Sequence, residues 1–524
     1  MSKYSDELSY GFTSSVAPPV RETRIGVCSA FCGSCGRLRK DVRSGCAMLQ
    51  RRRFDQSGGC QLNLASGIVS SFTNTVMITH SPLGCNSRFA GMSGTRKTMR
   101  ASKGKINEEF IWLHTNMDEI DVVQGGIEKL RRAILYAQEQ YHPDIIVIAN
   151  GCVPGIIGDD IDSLVSELQE TVSARIAPIH CEGFKSRYVA SGYDSAYHGV
   201  LRCLVGPCSR GDNDDDNADD DVNDGDKGVG VDSAGKRGRR NNSGIVNLFN
   251  VGSNSSGDEA ELCRVVGALG LKPRFLPLHA SLDDLKRIGE AALNVSVCAT
   301  HDDYLLGHLK ERFGTPYIID TLPIGIKNTN AWLRRIAEHF HLEVEAERVI
   351  ERENAELNSA LAPIKERLKG KSIFVGGGET RILTTAEFFH SLGMRLLGVK
   401  AHNVDRFVED MLGDVTGDDL FIEVAAGMPA EEINLLNKLK PDLYCGHIGA
   451  NGWVARLGIP CIPLFGQGFN FMGYSGAFEL ARKADKALRN TNFSRNISRH
   501  CALPLSVEWM ESDIKDNIKE RENA

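Results

Sequence analysis

Three cysteines carry the most legible chemistry in this chain, and each follows a glycine: Cys60 in SGGCQLNLAS, Cys85 in SPLGCNSRFAG and Cys152 in ANGCVPGIIGDD. A thiolate is a soft metal ligand, and a neighbouring glycine, with no Cβ in the way, lets the backbone approach a bulky group. Three such turns point to a soft-metal site, and their wide spacing argues against a zinc knuckle, whose cysteines come in close pairs. The competing reading is three core cysteines, because free cysteine packs as a small hydrophobe. A further cysteine, Cys298, ends the apolar run LNVSV, and VGGGETR at 375–381 offers Gly376, Gly377 and Gly378 beside Arg381. Glycine-rich backbone exposes N–H groups to an anion, and an arginine fork suits the same partner.

Positioning such residues requires strands that end in loops. PDIIVIAN is a short apolar run opening into the Cys152 turn, the signature of a strand buried on both faces, and TVMITHSPLG delivers Cys85 in the same way. Ligands of open α/β sheets sit beyond such carboxyl ends. Strand-like runs alternate with helix-like ones along the chain: VVQGGIEKLRRAILYAQEQ, SLVSELQETVSARI and APIH in one stretch, IVNLF, PRFLPL, LNVSVC and PYIID in a second, KSIFVGG, MRLLGV, LFIEVA, PDLYCG and GIPCIPL in a third. The fold class expected is α/β, with three doubly wound, Rossmann-like parallel-sheet domains around a central metallocluster site. The boundaries expected are an N-terminal arm with a cysteine-rich basic segment at 1–55, a first α/β domain at 56–204, a disordered acidic insertion at 205–243, a second α/β domain at 244–366, a third at 367–490 and a charged tail at 491–524.

A chain of 524 residues exceeds one core. The formal net charge of −7 leaves no basic footprint for a nucleic-acid partner. No apolar run is long enough to span a membrane and the start has no signal-peptide core, so a cytoplasmic, reduced, metal-bearing protein is expected despite 15 cysteines. Cys28, Cys32, Cys35 and Cys46 lie close enough in sequence to wrap a second iron–sulfur cluster, or they are packing cysteines of an extension. The aspartate-dense block GDNDDDNADDDVNDGD has nothing to bury and lacks the spacing of a calcium loop.

The pattern resembles the catalytic component of nitrogenase and its relatives, the alpha-type subunit. The resemblance is carried by Cys60, Cys85 and Cys152, DEIDVVQGGIEKL, GDD at 158–160, CEGF at 181–184, VCATHDDYLLGHLKERFGTPYI from 297 and VGGGETR from 375, over roughly residues 55–490. It implies that Cys60, Cys85 and Cys152 supply one subunit's share of a P-cluster [8Fe-7S], completed by a homologous beta-type subunit in an alpha2beta2 assembly. It also implies that Cys298 ligates a nitrogenase-type [8Fe-9S-C] iron-sulfur cofactor between the domains, with Gly376, Gly377, Gly378 and Arg381 against it. Electrons would come from a separate ATP-dependent iron-sulfur reductase, since this chain has no G-x-x-x-x-G-K-[ST] loop.

The chain also departs from that pattern. The glutamine and histidine that nitrogenase presents after CEGF fall on Val189 and Tyr193, and the homocitrate-holding lysine falls on Gly449. PLFGQGFNFMGYSG has no histidine where nitrogenase binds molybdenum, leaving His447 or Cys445 as the nearest candidates for a second ligand. These departures resemble the methylthio-alkane reductases and imply a cofactor without molybdenum, in a cavity made apolar by Val189, Phe469, Phe471 and Met472 and suited to a small thioether. The alternatives are a nitrogenase alpha subunit or a cofactor-assembly scaffold of the same fold.

Overall fold

The computed structural model describes residues 17–54, 56, 59–86, 111–206, 244–251, 256–319, 322–413, 415, 417–446, 448–464 and 470–520. Within the strand Ile145–Asn150 every residue is buried, and alternate side chains enter two different cores. Ile145, Val147 and Ala149 face one cluster, while Ile146 and Ile148 face another. A strand covered on both faces is a continuous apolar run, and parallel strands joined by helices are the arrangement that covers both faces. Its four-stranded sheet is parallel throughout, in the spatial order Ile111–His114, Thr75–His80, Ile145–Asn150, Arg175–His180.

A second four-stranded parallel sheet runs Tyr317–Ile318, Leu293–Ser296, Ile245–Phe249, Lys272–Leu276. The third has five parallel strands in the order Cys461–Pro463, Leu443–Gly446, Ser372–Gly377, Arg395–Ala401, Phe421–Ala425. The α/β class with three such units agrees with the sequence reading. The acidic insertion lies, beyond Val205 and Gly206, outside the described residues.

The reading of residues 1–55 as an arm is corrected. Ala30–Ser34 forms the sixth strand of the third sheet, antiparallel to Phe421–Ala425, and Gln50–Arg52 pairs with Ile518–Glu520 from the tail. The cause is the short apolar run at Ala30, Phe31 and Cys32, all buried, whose signal is masked by the basic residues that follow. The same packing removes the second cluster as a reading. Cys28 and Cys35 enter the large core shared by the second and third units, Cys32 enters a separate cluster, and Cys46 is exposed. Burial pushes the thiols of Cys28, Cys32 and Cys35 up to about 12, the protonated state of packing cysteines.

The expected helix over residues 122–140 is two, Glu119–Gln124 and Ile127–Tyr141. Gly125 breaks it with φ of +93°, and the Gly126 N–H donates to both carboxylate oxygens of Asp159 at 3.1 Å. The short helix Arg21–Arg24 lies where the units meet. Arg21 is fully buried and pairs with Asp194 at 3.1 Å, Asp303 at 2.6 Å and Asp405 at 3.2 Å, one carboxylate from each unit.

Candidate functional site

The first sheet places the three glycine-introduced thiols. Strands Thr75–His80 and Ile145–Asn150 lie side by side with His80 opposite Asn150, so the turns that follow leave the sheet together. Cys85 sits in the single 3-10 turn Leu83–Asn86, and Cys152 opens the helix Cys152–Ile157. Gly151 donates its N–H to the His80 carbonyl at 3.0 Å, and a Cβ at Gly151 would stand 2.7 Å from Ser81 Cβ. The glycine therefore permits the close approach of the two turns. Cys60 precedes the helix Gln61–Val69, whose Gln61 Nε2 donates to the Glu182 carbonyl at 3.1 Å and so ties it to the CEGF loop.

That loop brings the thiols together. A Cβ built on Gly183 would lie 2.9 Å from Cys60 Sγ and 3.4 Å from Cys152 Sγ, so both sulfurs crowd the bare face of one glycine. Cys85 belongs to the same group: its thiol is raised chiefly by burial and further by Cys152 and Cys60. All three are half-buried. Cys181, in contrast, is fully buried, and its Sγ lies 3.4 Å from the Asn150 carbonyl, a packing position. Among the described residues no group of three or more His, Cys, Asp or Glu side chains is close enough to hold a single metal ion. The three thiols are therefore neighbours without forming a mononuclear site. Leu83, Ile120, Val123, Ile156 and Phe184, on the cysteine-bearing turns and the helix packed beside them, are exposed large apolar residues.

The second constellation surrounds Cys298, which caps the helix Ala299–Phe313 after the strand Leu293–Ser296. Ser296 Oγ accepts the Cys298 N–H at 2.9 Å and donates to Asp302 Oδ2 at 2.6 Å. Asp302 also accepts from Tyr197 Oη at 2.9 Å and from Asn250, and burial pushes its carboxyl up to about 6. Cys298 lies deep between the units yet keeps accessible surface, so its thiol faces a cavity. Burial raises that thiol to about 11 and Asp302 adds to the rise, while Arg381 opposes it.

Three further side chains share this place. Burial lowers the Arg381 guanidinium, opposed by Cys298 and Asp258. Tyr193, on the helix Ser191–Cys203, keeps accessible surface, and its phenol is pushed above its ordinary range by burial and then by Cys298. Its ring lies 4.0 Å from that of His301, whose imidazole burial lowers to about 4, holding it neutral. His301 escaped the sequence reading because a histidine on a partly apolar helix carries no spacing signal.

The glycine run divides its work. A Cβ at Gly376 would stand 2.7 Å from Tyr444 Oη and 2.8 Å from Glu432 Oε1, so this glycine serves packing. Gly377 has φ of +155°, and a Cβ at Gly378 would meet nothing within 4 Å. Gly378 caps the helix Glu379–Ser391 that carries Arg381. Glu379 accepts from Thr300 Oγ1 at 2.6 Å and from Asn403 Nδ2 at 3.0 Å, and burial with Asp405 nearby raises its carboxyl well above the usual range.

Other expected positions fall differently. Val189 packs over Gly59, where a Cβ would stand 2.8 Å from its Cγ2. Phe471 and Met472 are corrected from cavity lining to core: both are fully buried, and their N–H groups donate to Asp258 Oδ1 at 2.7 and 2.9 Å. A carboxylate on a neighbouring helix fixes that loop with its apolar side chains inward, which the loop's own sequence does not reveal. Cys445 is buried in its strand, its thiol raised by burial. His447 and Phe469 lie outside the described residues.

Three parallel-sheet units carry a thiol group on the first and a lone thiol where the three meet, and the comparisons say which family shares this layout. The chain belongs to the nitrogenase component 1 type oxidoreductase family, whose model matches residues 60–489. It is 24% identical over 488 residues to a nitrogenase molybdenum-iron protein alpha chain of Methanosarcina barkeri, covering 82% of this chain and 86% of that one. It is 26% identical over 439 residues to the nitrogenase iron-molybdenum cofactor biosynthesis protein NifE of Rippkaea orientalis, covering 83% and 85%. The solved structure of nitrogenase Cp1 at pH 5 matches the fold with a TM-score of 0.65 at 21% identity, over 86% of this chain and 91% of that one. No helix among the described residues is long and apolar enough to cross a membrane.

Proposed function

We propose that this chain is the catalytic subunit of a nitrogenase-like reductase that cleaves the C–S bond of small methylthio-alkanes, releasing methanethiol and a hydrocarbon. The balance is one thioether, two electrons and two protons in, one thiol and one C–H bond out. When bound, a shared P-cluster would relay electrons from an ATP-dependent iron-sulfur reductase, and an iron-sulfur cofactor at Cys298 would deliver them to the C–S bond.

The residues present fit both groups. Cys60, Cys85 and Cys152 offer three half-buried thiols around the bare face of Gly183, where any larger residue would meet sulfur. The exposed apolar residues beside them suit a homologous beta-type subunit that would complete the ligand set. Cys298 offers one thiol to a cavity, where Arg381 favours its deprotonated form. Gly378 leaves open space at the start of the Arg381 helix, so backbone N–H groups there can meet an anion.

The observation that carries the substrate reading is Tyr193. A phenol pushed above its ordinary range is a reluctant acid, and it stands at the position where the resemblance expects an imidazole proton donor. Val189 offers methyl groups where the resemblance expects an amide. A weakly acidic group at that position suits a substrate that takes up two protons better than one that must be protonated repeatedly. A purified complex, reduced anaerobically and given a small methylthio-alkane or dinitrogen in parallel, is expected to yield methanethiol with hydrocarbon. Ammonia as the dominant product would overturn the substrate assignment.

A second reading follows from the relative of Rippkaea orientalis, which is a cofactor biosynthesis protein at an identity similar to that of the alpha chain. A scaffold would hand its cluster to an apo acceptor. Retention of iron at Cys298 after incubation with such an acceptor separates the catalytic subunit from the scaffold.

A further inference from the structure

His301 stands beside Cys298 where side chains of all three units meet. It lies three residues after Cys298 on the same helix, so both side chains project from one face of its first turn. Its ring is held against the Tyr193 ring at 4.0 Å between centroids, with 48° between planes, which fixes its position from the first unit. The side chain keeps accessible surface, as Cys298 and Tyr193 do. Yet Nδ1 is buried and finds no hydrogen-bond partner among the described residues. An imidazole inserted for stability alone would satisfy both nitrogens, because a buried polar atom without a partner costs the full loss of its hydration. The other ring nitrogen, Nε2, is not among the buried atoms without a partner, so it is the nitrogen left to meet an occupant. Arg381 reaches the same place from the third unit and is held there with Cys298 as its strongest favourable neighbour. An occupant flanked by a guanidinium and a thiolate ligand, at the start of a helix, is anionic and rich in acceptors.

We propose that His301 is a positioning residue of the Cys298 cavity, donating an imidazole N–H to a sulfide of the iron-sulfur group held there while Tyr193 clamps its ring. This rests on the assignment of Cys298 as a ligand and deepens it by naming the hydrogen bond on the side of the cavity away from Arg381's unit. The role separates from that of Tyr193, which supplies a ring surface, and from that of Asp302, whose carboxylate is already engaged by Ser296, Tyr197 and Asn250.

The test uses the complex assembled with its partner subunit, carrying His301→Phe, His301→Gln or Cys298→Ala, with iron content and the EPR spectrum of the resting state recorded beside activity. His301→Phe is expected to keep the signal of the three-thiol cluster, to shift the cofactor signal and to lower kcat about 10- to 100-fold with KM little changed, the usual effect of removing a hydrogen bond to a metal site. His301→Gln, which restores a donor, is expected to return the cofactor signal toward that of the unaltered complex. A cofactor spectrum and kcat unchanged in His301→Phe would overturn the proposal while leaving the ligand assignment standing. Full cofactor signal in Cys298→Ala would overturn the assignment beneath it. Should His301→Phe also lose the three-thiol signal, the Gln variant decides: a spectrum as altered as that of Cys298→Ala would refute donation by the ring.

Discussion

At the residue scale, Gly183 and Cys298 make separable demands. Gly183→Ala places a methyl 2.9 Å from Cys60 Sγ and 3.4 Å from Cys152 Sγ, so at least one thiol must move. The expected outcome is loss of the three-thiol cluster signal with the cofactor signal retained. Cys298→Ala should do the reverse, because the two sites share no side chain, and iron analysis with EPR on both variants checks the pair. The thiols themselves were legible in sequence, since cysteine beside glycine on a strand-ending turn is a chemical pattern. Gly183 and His301 were not. Their roles arise only when a loop from one strand lands on sulfurs from elsewhere, or when two helices from different units bring their rings together.

At the element scale, the parallel strands were readable because burial on both faces leaves an uninterrupted apolar run, as in Ile145–Asn150. The strand Ala30–Ser34 was not, because its partner Phe421–Ala425 lies in a distant part of the chain and its apolar run is brief. Phe31 is 1% exposed in the largest core, so Phe31→Asp should destabilise the third unit by about 3–5 kcal/mol, the range for emptying a large aromatic site, with a buried charge added. A fall in thermal midpoint checks this, and a wild-type midpoint would show that the strand is dispensable. The same sheet holds a proton. Burial raises Glu423 to about 8, opposed by Lys400 and Arg52, and its carboxyl oxygens find no hydrogen-bond partner among the described residues. Its folded pKa exceeds the unfolded value of about 4.3, so its contribution to stability is fully present below that value and is lost as pH rises through about 8. Glu423→Gln should flatten the decline of the melting temperature between about pH 5 and 8. An unchanged slope would show that Glu423 folds already ionised.

For the whole molecule, a charged junction ties together three units that also share apolar cores, one between the first and second and one between the second and third. Arg21 and Arg24 together engage Asp194, Asp303 and Asp405, and all three carboxylates are fully buried. Asp194 follows Tyr193 and Asp303 follows Asp302, so the residues that hold the units together are chain neighbours of those lining the Cys298 cavity. Nothing in MSKYSDELSYGFTSSVAPPVRETR announces this, because an arginine reads as surface until three distant aspartates are known to converge on it. Removing one partner of a buried ionic cluster leaves uncompensated charge and costs about 3–5 kcal/mol. Arg21→Met keeps much of the side-chain volume and deletes the charge, so Asp194, Asp303 and Asp405 lose the cation common to all three while Arg24 still engages the first two. The expected result is a lower melting temperature, with a larger fall than in Arg24→Met because Asp405 is the carboxylate that Arg24 does not reach. Arg24→Met should weaken only the joint between the first two units and leave the third coupled through Arg21. Identical melting profiles for the two variants would show that the junction acts as undifferentiated charge rather than as a clasp with one contact for each unit.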